Sequence, residues 1–124
     1  MIHKNLAVYK LSVEWVVEIY QVTRSFPPDE KFGLTGQIRR AAVSIPANLA
    51  EGAARRSVNE YKQFIYIALG SLSELEALIE ISRQIGYYTS QNGEAEFKLL
   101  RIRKGLHGIL RYLNNPRQPP GILP

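Results

Sequence analysis

The sequence predicts an all-α protein, an antiparallel up-down-up-down left-handed four-helix bundle. Three observations lead there. Four long segments carry apolar residues three or four positions apart, which is the spacing of one helical face. The connections between them are short, so consecutive helices fold back on one another. In the third and fourth segments the alternation of fours and threes is strict enough to favour left-handed crossings near 20°. At 124 residues the chain is one domain in size, since half of it could not build its own core.

The first helix is expected over Ala7–Ser25, with Val8, Leu11, Trp15, Ile19, Val22 and Phe26 on one face. Val13, Val16 and Val17 widen that face, and Pro27 and Pro28 end the segment. The second helix is expected over Leu34–Arg55, with Leu34, Ile38, Ala41 and Ile45 in register and Thr35 as an alternative N-cap. Pro46 lies inside it and predicts a kink or break near Ala42–Ile45. The third helix follows a capping box, Ser57 with Glu60. It repeats Tyr61, Ile65, Ala68, Leu72, Leu75, Ile79 and Ser82, and should stop at Gly86. Adding Phe64, Ile67, Ser71, Leu78 and Ile85 makes its apolar or small-residue arc wider than one neighbour requires. The fourth begins near Gln91–Glu94 and ends before Pro116, carrying Leu99, Ile102, Leu106, Ile109 and Leu113. Gly105 and Gly108 within it predict close backbone packing. Residues 1–115 therefore form the bundle, and 116–124 read as a flexible Pro-rich tail. Each helix alone would be marginal in water, so stability must come from packing the stripes together. The apolar area left outside the central seam predicts a homo-oligomer.

Composition excludes several chemistries. There is no cysteine and there are two histidines, His3 and His107, which leaves no thiol nucleophile and little for a metal cluster. His107, inside the fourth helix, reads as a boundary packing residue. No Glu-x-x-His pair accompanies Glu74, Glu76 and Glu80, so a di-metal bundle site is not expected. Neither a dinucleotide fingerprint nor a phosphate loop occurs. The expectation is a non-enzyme without cofactor or metal. No apolar run is long enough to span a bilayer and no signal-peptide core is evident, which predicts a soluble, cytoplasmic protein without a membrane partner.

Two polar patterns remain. Ser44, Asn48, Glu51 and Arg55 share a stripe on the second helix. If buried, Asn48 and Glu51 must be hydrogen-bonded and would fix the packing of the kinked segment. The formal charge is +5, with the positive excess in residues 1–57 and 91–124 and a negative balance between them. Arg39 and Arg40 on the second helix, and Arg101, Lys104 and Arg111 within one sector of the fourth, suit contacts to RNA or DNA phosphates.

The run Ala42-Val43-Ser44-Ile45-Pro46-Ala47-Asn48-Leu49-Ala50-Glu51-Gly52, followed by Arg55, Glu60, Phe64, Ala68, Gly70-Ser71 and Glu74, resembles the proteins encoded by intervening sequences of bacterial 23S ribosomal RNA genes, also called the S23 ribosomal protein family. The resemblance runs from the first helix to Leu113. It implies a ring-like homopentamer of four-helix bundles with no catalytic residues. Ser44, Pro46, Asn48, Glu51, Gly52, Arg55, Gly70, Ser71 and Glu74 carry its structural motif. A related branch, the accessory proteins of diversity-generating retroelements, binds nucleic acid through a basic surface. It implies a reverse transcriptase partner only for a chain encoded beside a retroelement.

Overall fold

The computed structural model describes residues 3–89 and 93–115; the Pro-rich segment 116–124 lies outside them. Four helices make up the described chain, α1 (His3–Thr23), α2 (Leu34–Ala53), α3 (Val58–Ile85) and α4 (Glu94–Leu113), with one 3-10 turn at Pro28–Glu30. It is an all-α four-helix bundle, with no strand among the described residues.

α1 begins four residues before the expected start and ends two residues before the expected stop. The Thr23 hydroxyl donates to the Ile19 carbonyl at 2.7 Å, and the chain leaves the helix ahead of the proline pair. Val8, Trp15 and Ile19 are buried, as is Phe26 just beyond. Asn5 and Ser12 lie on the same inward line and are buried with them, extending the four-three register toward the N-terminus.

α2 runs through Pro46 as one continuous helix, so of the kink or break expected near Ala42–Ile45 the break does not occur. The proline removes one N–H, but its ring is apolar and buried beside Ala42, Ile45 and Leu49. Burial on the core face offsets the missing bond. Thr35 is not the N-cap. It lies buried inside the first turn, Gly33 precedes the helix, and Glu30 Oε1 accepts from the Leu34 N–H at 3.2 Å.

The start of α3 follows its capping signal: Ser57 Oγ accepts from the Glu60 N–H at 3.1 Å. The Glu60 carboxylate takes the serine hydroxyl at 3.3 Å, where a full capping box would have it take the backbone N–H. Gly86 ends the helix in the left-handed region with φ 99°, and its N–H returns to the Ser82 and Arg83 carbonyls. Tyr61, Ile65, Ala68, Leu72, Leu75 and Ile79 form the centre of the core.

Around the bundle, α1 packs on α2, α2 on α3, α3 on α4 and α4 on α1, whereas α1 and α3, like α2 and α4, are diagonal. The most extensive contact is between α2 and α3. There a Cβ on Gly52 would lie 2.9 Å from Phe64 Cβ and 3.0 Å from Tyr61 Cδ1, so glycine sets the approach of the two helices. Gly105 does the same against the Val8 side chain of α1. Gly108 does not: the nearest atom to its hypothetical Cβ is the Arg111 guanidinium on its own helix.

Candidate functional site

The basic residues divide between two diagonal helices. Arg39 is drawn into the α1–α2 seam, where its Nε donates to Thr23 Oγ1 at 2.9 Å and Nη2 to the Tyr20 carbonyl at 3.3 Å. Its guanidinium stacks on the Tyr20 ring, 4.4 Å from the centroid. Arg40, the next residue, is exposed. Arg101, Lys104 and Arg111 are exposed on α4, one or two turns apart along the helix. Because α2 and α4 share no backbone contact, one protomer does not gather all five cations into a single surface.

The α4 group is the more available. Its acidic first turn is neutralised elsewhere: Glu94 pairs with Lys98 at 3.1 Å and Glu96 with Arg83 at 2.5 Å. Lys98 also pairs with Glu18 of α1, and Arg103 with Glu76 of α3. The Glu18 hydrogen bond is the main reason the Lys98 ammonium is held above the usual lysine range, with Glu94 adding to it and burial opposing. The remaining outward cations, Arg101, Lys104 and Arg111, have no carboxylate within ion-pair distance among the described residues. Arg101 lies over the exposed Phe97 ring at 5.9 Å. His107 is exposed between Lys104 and Arg111, not packed at a boundary, because the inward positions around it belong to Leu106, Ile109 and Leu110.

The polar motif converges on the α2–α3 seam. Ser44 Oγ and Ser71 Oγ share a hydrogen bond of 2.7 Å, and Asn48 Nδ2 donates to the Ser44 carbonyl at 2.7 Å and its hydroxyl at 2.9 Å. Asn48 thus holds the turn around Pro46. Glu51 takes no part in it. That side chain is exposed, and its contact to Arg55 is 3.8 Å long. Arg55 instead covers the Phe64 ring at 4.8 Å. Gly70 faces open space, and Glu74 is exposed without a partner among the described residues.

One polar pair is not evident from the sequence motifs. Asn5 Nδ2 donates to the Tyr61 hydroxyl across the core, with both side chains inaccessible to solvent. Burial pushes the Tyr61 phenol up to about 12, the Asn5 contact pulling the other way. The signal for it is the register itself, since Asn5 stands three residues before Val8 on the core line.

Among the described residues no group of three or more His, Asp or Glu side chains could hold a metal ion, and no helix is long and apolar enough to cross a membrane. Among the described residues the fold and its surface define a small helical-bundle protein whose exposed chemistry is charge and apolar area. A sequence profile described as 23S rRNA-intervening sequence protein matches residues 4–108, and the chain belongs to that family. It is also similar to a solved structure from Bacteroides thetaiotaomicron VPI-5482, described as a protein with unknown function from the S23 ribosomal protein family. The two are 27% identical, with a TM-score of 0.78 over 87% of this chain and 98% of that one. No curated relative matches the chain.

Proposed function

We propose that this chain is a non-enzymatic, homo-oligomeric bundle that binds RNA or DNA through the outer face of α4. The observation that carries the reading is the trio Arg101, Lys104 and Arg111, exposed and free of carboxylate partners among the described residues, beside an exposed aromatic ring. Such a face contacts phosphates with little regard for sequence. Repetition in an assembly multiplies weak contacts through effective concentration. Arg39 serves mainly to join α1 to α2, and Arg40 contributes from the opposite side of the protomer.

The finer architecture belongs to the same proposal. Contacts of Arg39 with Thr23, Gly52 with Tyr61, Arg83 with Glu96 and Lys98 with Glu18 support an up-down-up-down course, which the heptad spacing makes left-handed. The family resemblance supports a pentamer, and a reverse transcriptase partner follows only where a retroelement lies beside the gene.

Fluorescence anisotropy with structured RNA, duplex DNA and single strands over about 50–200 mM salt tests the reading. Affinity should fall steeply with salt. Replacing Arg101, Lys104 and Arg111 together by alanine should weaken binding to every nucleic acid alike and flatten the salt slope by about one unit per lost phosphate contact. No binding below about 10 µM at the lowest salt would leave a structural or protein-interaction module in its place.

A further inference from the structure

Two helices display apolar stripes that the bundle leaves exposed. On α1, Leu6, Lys10, Val13, Val17 and Tyr20 follow one another at alternating spacings of four and three, with Arg24 in the turn just beyond the helix, all on the solvent side. Leu6, Val13, Val17 and Tyr20 are between 37% and 51% exposed. On α3, Ile67, Gly70, Glu74, Ile81 and Ile85 fall three, four, seven and four residues apart and so share one face, with the three isoleucines between 48% and 53% exposed. This regularity is the pattern of a helix seam. Arg39 of α2 covers one face of the Tyr20 ring; the other apolar side chains of both stripes are left exposed.

We infer that the α1 stripe of one copy packs along the α3 stripe of the next, in a head-to-tail contact between identical chains. This rests on the oligomeric reading above and says which surfaces make the assembly. Charge selects the pairing. Lys10 and Arg24 interrupt the α1 stripe and have no partner among the described residues; Glu74 interrupts the α3 stripe and has none either. A contact of α1 with α1 would set cations against cations, and one of α3 with α3 would set carboxylates together. Crossing the two brings opposite charges to the same seam. Gly70, with nothing near its missing side chain, leaves a flat place where a neighbouring helix can approach closely.

Geometry then sets the symmetry. α1 and α3 are diagonal in the bundle, so each copy offers two different surfaces on two different sides. Contacts of that kind propagate from copy to copy until they close. α4 belongs to neither stripe, so its basic face stays exposed on every copy.

Sedimentation of the full chain decides the matter. The wild type is run first, and a species at the 14.1 kDa chain mass alone would overturn the oligomeric reading and this inference together. With an assembled wild type, Val17→Asp and Ile81→Asp should each reduce the protein to monomer while helical circular dichroism is unchanged. Val13→Asp and Ile85→Asp provide a second pair should either of the first lose its fold. Mixed in equal amounts, the Val17→Asp and Ile81→Asp proteins retain one intact α1 and one intact α3 stripe between them. They should form a one-to-one complex at twice the chain mass and stop there. Singly substituted proteins that stay assembled like the wild type would overturn the inference and leave the oligomer standing. Monomeric variants that fail to pair on mixing would overturn the head-to-tail arrangement.

Discussion

α3 makes two seams of opposite character. Against α2 it is close and largely apolar, with Gly52 pressed to Tyr61 and Phe64 and a single serine pair bridging the rim. Against α4 it is laced with polar links along its length: Lys62 to Asn114 at 2.9 Å, Arg103 to Glu76 and Ser73, and Arg83 to Glu96. Side chains of the second kind are long, solvated and adjustable, whereas the first allows no added atom without displacement. Shape therefore specifies the α2–α3 seam, and charge only trims the α3–α4 seam. Ser44, Gly52 and Ser71 fall on the former, whereas Glu51, Gly70 and Glu74 are exposed.

Substitutions should separate the two seams, and the largest effect belongs to the close one. Gly52→Val should cost about 3 kcal/mol by overpacking, read as a lower urea midpoint. Next comes the buried phenol beside that glycine. With the folded Tyr61 near 12 and the unfolded phenol near 10, the folded chain holds the proton more tightly. Its contribution is complete below about pH 10 and is lost as pH rises toward about 12, on the order of 2 kcal/mol. Tyr61→Phe should be less stable at neutral pH, because Asn5 loses its partner, yet should show a smaller alkaline decline in urea titrations between those limits. Ser71→Ala should cost about 1 kcal/mol through the lost hydrogen bond to Ser44, measured in the same way.

The smallest effects lie on the charged surface. Arg103→Ala should change stability by less than about 1 kcal/mol, and salt should erase part of that. Glu51→Ala should shift it by no more than about 0.5 kcal/mol, measurable as a nearly unmoved urea midpoint. A large loss in Arg103→Ala, or none in Gly52→Val, would reverse the ranking of the two seams.

Periodicity exposes the inward line of every helix because burial repeats with the backbone turn: Tyr61, Ile65, Leu72 and Ile79 all lie in the core. It is weaker where a neighbour decides. Arg39 looks like any surface cation until Thr23 and Tyr20, on another helix, take hold of it. Glu51 and Asn48 share a stripe, yet only Asn48 meets the Ser44 hydroxyl and carbonyl; spacing cannot say which edge of a stripe faces α3. Gly105 and Gly108 are equivalent as residues, and only the position of Val8 separates them. Pro46 announces a lost N–H in the sequence, but its ring is also a core side chain. The α4 cations are legible as a sector, whereas their lack of a carboxylate partner among the described residues shows only in the structure.

The chain has a single tryptophan, and it sits on the inner side of α1, 3% exposed, with the Lys98 ammonium 6.0 Å from its ring. That placement supplies an optical probe without labelling. Emission from an indole held in the core is blue relative to one in water, so unfolding should move the spectrum to longer wavelength and report loss of the α1–α4 seam. The exposed stripe of α1 lies on the other side of the same helix, out of reach of the indole. A change in assembly that leaves the fold intact should leave the emission unmoved, so the indole reports folding apart from association.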